Sequence, residues 1–300
     1  MSSTMLQLVN QVQAELNLAV STSVAGNPNT DVQQILALMN AAGYELTKEY
    51  DWQALQLEYR FYTQAITTNA TSVNGSLVLT GVGNTTGVTN QWGITGYDIN
   101  QDTQVVSVDS PTQITMSQMA SGSGTGQIVL GQNKYDLPPD FETITDRTHW
   151  DKTKHWEMLG PEDAQQWQWL KSGYISTGPR IRWRILDQQF QIWPQTNTQE
   201  YLGFEYRSKG WARSSTGVVK NSFTADTDTT VLDDRIMVLY TKLKYFQIKA
   251  FDTTALTQDY QRYLMIAKSN DKGAPNLSFA PYPSKVLIGY ANIPDTGYGS

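Results

Sequence analysis

The chain has no cysteine, which excludes disulfides, thiolate metal sites and a cysteine nucleophile. Histidine is almost as scarce. A Ser-His-Asp triad or a His-rich metal site would have to use His149 or His155, and their separation does not match the i, i+4 spacing that sets two ligands on one helix face. No apolar run reaches the roughly 20 residues a membrane helix needs. The opening MSSTMLQLVNQVQAEL lacks the basic and apolar regions of a signal peptide. The expected compartment is therefore a cytoplasm, or a particle assembled in one. Lysine and arginine are missing altogether from residues 66–133, and over the whole chain 22 basic residues face 28 acidic ones, a net charge of -6. Coating nucleic acid requires clustered cations to neutralise phosphates. The charge balance argues against that role, but it is compatible with a surface along which DNA slides without adhering.

What is present reads as several segments. Thr4 and Gln7 form a capping-box pattern, followed by Met5, Leu8, Val12 and Leu16 at helical spacing. Thr30 and Gln33 repeat the pattern ahead of Val32, Ile35, Met39 and Leu46, so residues 1–65 are expected to hold two helices and a first strand. Residues 66–133 carry three acids and ten of the 22 glycines, with short strand-like runs such as SLVLTG and TQVVSV; this segment reads as an inserted β subdomain. Residues 134–211 read as an antiparallel β domain rich in tryptophan. There RIRWRILDQQFQIWP alternates strictly, Asp187-Gln188 forms a reversal, and EYLGFEYR follows as the third strand of a meander. Residues 212–272 return to helix, and the apolar residues of DDRIMVLYTKLKYFQIKAF cover a wide arc, as in a helix buried on more than one side. The expected fold class is thus α+β. A four-helix bundle built from N- and C-terminal helices carries the antiparallel β domain, the inserted β subdomain and an extended arm at 273–300.

The arm holds four prolines, yet also Phe279, Tyr282, Val286, Ile288, Tyr290 and Ile293, too much apolar surface to leave in water. These six residues are candidate partner-binding positions; the surface they cover is their own domain, a neighbouring subunit or a partner. Arg180, Arg182 and Arg184 are further candidates. They share one face of a strand and suit phosphates or a partner's carboxylates, or alternatively pair across the sheet with Glu205.

Catalytic signals are weak. Asp136, Asp140, Glu142 and Asp146 could supply the carboxylate pair of a glycosidase, but acids beside a proline turn are more often a solvated loop. GVGNTTG at 81–87 and GSGTG at 122–126 lack the spacing and the following helix of a nucleotide loop. No metal or cofactor is expected. The tryptophans are expected to pack more often than to stack on sugars.

Taken together, two N-terminal helices, β segments, the turn KYDLPPDF, a Trp-rich sheet ending FQIWPQ and a helical hairpin resemble the head-to-tail adaptor of short-tailed bacteriophages, the tail tubular protein A family. The turn matches the family's Tyr-x-Leu-Pro-x-Asp-Phe pattern at Tyr135, Leu137, Pro138, Asp140 and Phe141, and Trp193-Pro194 matches its aromatic-Pro strand end. The likeness spans most of residues 4–272. It implies a non-enzymatic virion protein of the tail or neck. Its partners would be further copies of itself in a ring, usually a dodecamer, together with the portal protein, the tail nozzle protein and tail fibres; DNA would pass through without specific binding, and no membrane is involved. A carbohydrate-binding tail component and a hydrolase stay open as other readings.

Overall fold

The computed structural model describes residues 3–172 and 180–272. The chain opens with α1 (Met5–Glu15), where Thr4 and Gln7 form the reciprocal capping box. α2 (Thr30–Glu49) starts instead from Asn29, whose side chain accepts from the Asp31 amide. A short 3-10 turn leads into β1 (Gln56–Tyr62), with Leu57, Tyr59 and Phe61 turned to a core and Glu58, Arg60 and Tyr62 to solvent.

Next come β2 (Ala65–Ser72), β3 (Val78–Leu79), β4 (Trp92–Gly96), β5 (Thr103–Ser110), β6 (Gln113–Met116) and β7 (Gly124–Gln132), which make one six-stranded sheet in the order β2-β7-β4-β5-β6-β3. Thr71 on β2 and Thr80 beside β3 exchange backbone hydrogen bonds of 2.7 and 3.1 Å, so the first and last strands meet and the sheet is nearly closed like a barrel. It encloses its own core of Leu79, Trp92, Ile94, Ile114 and Leu130, among others. Near-closure removes the exposed edges that a glycine-rich sheet without lysine or arginine would otherwise present. The barrel is seated on the rest of the chain at two glycines. A Cβ at Gly131 would lie 2.7 Å from the Thr196 carbonyl oxygen, and one at Gly93 would run into the Gln195 side chain.

The chain continues through β8 (Lys134–Asp136), β9 (Phe141–Ile144), β10 (Trp150–Asp151), β11 (Trp156–Glu157), α3 (Ala164–Lys171), β12 (Arg182–Leu186), β13 (Gln189–Trp193) and β14 (Tyr201–Ser208). Two sheets result, β12-β13-β8 and one in which β14 lies between β1 on one side and β9 and β10 on the other. They share an aromatic core in which Phe190 stacks on Trp183 and on Phe204. The β12–β13 hairpin turns at Asp187 and Gln188, both at positive φ, as a two-residue reversal requires. The expected meander fails at its next step. β13 pairs with β8 rather than β14, and Ile192 donates to Asn133 O at 2.9 Å. Alternation shows which face of a strand is buried, not which neighbour it takes. β8, leaving the barrel directly beside β13, occupies that edge first.

A three-stranded sheet of β15 (Ala212–Arg213), β16 (Val219–Lys220) and β17 (Thr229–Thr230) precedes α4 (Asp234–Ile248) and α5 (Thr254–Lys272). Here the expected architecture has to be corrected. The chain is not dominated by a four-helix bundle; it is mainly β, with seventeen strands in four antiparallel sheets against five helices among the described residues. α4 packs against α1, α2 and α5, which accounts for its wide buried arc. The remaining side of that core is filled by Trp211, Ala212, Phe223 and Leu232, from the small sheet and its loops. Trp211 reaches the backbone of α2 at Gly43, the one place on that helix where no side chain holds it off: a Cβ there would lie 2.3 Å from the indole.

Candidate partner-binding surface

The arginine stripe is partly as its alternation implies. Trp183 is buried, while Arg182 and Arg184 are half-buried and Arg180 is exposed. The three do not form a cationic patch. Arg182 is paired with Glu162 at 2.6 Å, and Glu205, the partner considered for it from sequence, sits on β14 in register with Glu58 in the other sheet. Arg184 has no carboxylate within ion-pair distance among the described residues. It lines a cavity of about 380 Å³ with Ile144, Asp146, Glu162, Trp183 and Ile185. A guanidinium beside two carboxylates and three apolar side chains suits a polypeptide better than a phosphate backbone, which calls for several unopposed cations. The arm candidates Phe279, Tyr282, Val286, Ile288, Tyr290 and Ile293 lie outside the described residues.

The acids around the proline turn are only partly solvated: Asp136 and Asp146 are exposed, Glu142 is half-buried and Asp140 is not solvated. Asp140 is buried and accepts hydrogen bonds from Tyr206 Oη at 3.1 Å and Ser208 Oγ at 2.5 Å. Burial and the adjacent Asp140 push the Tyr206 phenol well above its ordinary range. Asp136 accepts from the Gln91 and Gln189 amides at 2.9 and 3.0 Å, and Glu142 pairs with Lys48. Asp136, Asp140 and Glu142 therefore serve as separate structural acceptors, while Asp146 is exposed. Pro138 and Pro139, which cannot donate to a ladder, carry the chain from β8 in one sheet to β9 in the other. Tyr135 Oη secures the near end on Gln132 O at 2.7 Å, and Asp140 the far end. Sequence reading treated Asp140 as surface; the signal it missed is the pair Tyr206 and Ser208, which alternation on β14 turns to the same side.

His149 is buried edge-on against Trp183, with ring centroids 5.0 Å apart and Nε2 4.0 Å from Glu157. His155 is exposed, and no metal-holding group of His, Asp and Glu occurs among the described residues. Burial lowers the His149 pKa from its ordinary value of 6.5, partly offset by the nearby Glu157 and Asp146. The folded chain thus keeps His149 neutral where the unfolded chain binds a proton. Its contribution to stability is complete above the unfolded value and declines as pH falls below about 6.5. Urea midpoints measured from about pH 7 down to pH 5 should show this loss, and His149→Gln should flatten that limb.

Six of the nine tryptophans (Trp52, Trp92, Trp167, Trp183, Trp193 and Trp211) are buried, so most of the set is core and not a sugar platform. No protein-family model matches the chain, and no curated protein matches it either.

Proposed function

We propose that the chain is a non-enzymatic structural protein of a short-tailed bacteriophage virion, an adaptor that forms a ring between the portal protein and the tail nozzle. The observation that carries this reading is the joint at residues 135–141. The positions it shares with the adaptor pattern are used for construction: Tyr135 and Asp140 are buried and hydrogen-bonded, and the two prolines carry the crossover between sheets. A motif that holds two sheets in register suits a protein whose work is mechanical. The engaged carboxylates weigh against hydrolysis, and the net charge of -6 suits a neck through which DNA passes without sticking. The barrel of residues 65–132, which carries no basic side chain, is a surface for a further virion component such as a tail fibre.

Native mass spectrometry of the purified protein, alone and mixed with the portal ring of the same phage, tests the reading. The expected result is a defined multi-copy complex with the portal, whose mass gives the stoichiometry. A monomer that also ignores the portal would overturn it, and a screen of glycans would then be the next step.

A further inference from the structure

The run GSGTG at 122–126 shapes one part of the barrel surface. Its three glycines alternate at and just before the start of β7, so one face of the chain there carries no side chain. Tyr97 and Asp98, which directly follow β4, occupy that bare face. A Cβ at Gly122 would lie 2.4 Å from Asp98 Oδ1, so only glycine leaves room for the carboxylate. A Cβ at Gly124 would touch Asp98 Oδ2 at 3.6 Å and Tyr97 Cε1 at 3.8 Å, and one at Gly126 would touch Tyr97 Cβ at 3.5 Å. The phenol ring therefore lies lengthwise over the strand, with the carboxylate beside it. Tyr97 is nonetheless 72% exposed, and among the described residues its ring meets no other ring and no cation.

Both groups are held in place and yet left unused by the fold. Asp98 has φ +64°, a left-handed conformation that Asp and Asn tolerate better than most residues, and its C=O accepts from Ser121 N at 2.9 Å. Its half-buried carboxylate accepts no hydrogen bond and joins no ion pair among the described residues. The other two acids of the barrel are engaged. Asp102 pairs with Lys171 at 2.8 Å, and Asp109 accepts from Ser107 Oγ and Thr115 Oγ1, each at 2.7 Å. Residues 66–133 contain no lysine or arginine, so the barrel has no cation of its own to offer Asp98. A free carboxylate beside an open aromatic face is complementary to a cation: the carboxylate pairs with it, and the ring attracts it through its quadrupole. Arginine fits both at once, since its planar guanidinium stacks on a ring while its N–H groups reach the carboxylate. A metal ion would need several more oxygen ligands, and phosphates are repelled by a segment whose only charges are negative.

We infer that Tyr97 and Asp98 form a receptor for an arginine side chain presented by a partner protein. It rests on the proposed role of the barrel as a docking surface, and because its test uses no virion component, it and the adaptor reading fail separately. The probe is a Gly-Gly-Arg-Gly-Gly peptide with blocked ends, titrated into the isotope-labelled full-length protein while amide shifts are followed by NMR. Saturable shifts should be confined to Tyr97, Asp98 and the glycines at 122, 124 and 126 with their immediate neighbours. The same peptide with citrulline in place of arginine, nearly isosteric but uncharged, should bind about threefold more weakly or less, and Asp98→Asn should reduce arginine binding by a similar factor. Asparagine tolerates the same φ, so that variant keeps the fold. Tyr97→Leu removes the ring from an exposed position and should also weaken arginine binding. No localised shift with the arginine peptide would overturn the inference, as would equal binding of the citrulline peptide or undiminished binding by Asp98→Asn. Equal shifts at the same residues with neutral maltotriose would assign the surface to a glycan and would also overturn it.

Discussion

Trp211→Ala is expected to lower stability by about 3–5 kcal/mol, the range for removing a large aromatic side chain from a core. Trp211 is fully buried, lies edge-to-face with Phe223 at 4.6 Å and rests on the backbone of α2 at Gly43. It sits where the small sheet joins the helices, so the cavity would open between elements distant in sequence and could not be refilled by a local rotamer change. The indole N–H has no partner among the described residues, so the loss comes from packing and not from a hydrogen bond. Gly43→Ala tests the same contact from the other side. A methyl 2.3 Å from the ring forces either the helix or the indole to move, at a cost of about 1–3 kcal/mol. Urea denaturation of both single variants and the double variant measures this. Because the residues touch, the two effects should not add. A Trp211→Ala variant within about 0.5 kcal/mol of the parent would mean that the sheet does not form this wall of the core.

Asp140→Ala is expected to cost a similar amount, about 3–5 kcal/mol, by removing a buried charged acceptor and leaving its partners unpaired. Tyr206 Oη and Ser208 Oγ would both lose their carboxylate, and the half-buried Arg213, on which the Asp140 charge acts, would lose a compensating anion. Asp140→Asn keeps an acceptor oxygen of the same shape and should cost clearly less. The structural and catalytic readings of this residue separate here. A structural Asp140 gives a loss of denaturation midpoint that is graded from Asn to Ala. A residue held only for chemistry would leave the midpoint of both variants unchanged.

Local chemistry was legible in the sequence because it depends on near neighbours. The capping box at Thr4 and Gln7, the reversal at Asp187-Gln188, the alternation of β1 and the wide apolar arc of α4 are all set within a few residues, and each appears in the structure. The lack of cysteine settled part of the chemistry outright. Choices between distant segments were not legible. Alternation along β13 did not show that β8, rather than β14, would take its edge. The helical stripes did not show that Trp211 and Phe223 would occupy one side of the helical core in place of further helix, which is why a bundle was expected where the chain builds mainly β. Asp140 read as a solvated acid because its two hydroxyl partners lie more than sixty residues further along the chain. The sequence by itself determined which residues form each element and which face of it is apolar, since those follow from backbone periodicity and side-chain transfer to water. Only the tertiary structure decided which element covers each face, because that depends on the shape left by every other part already packed.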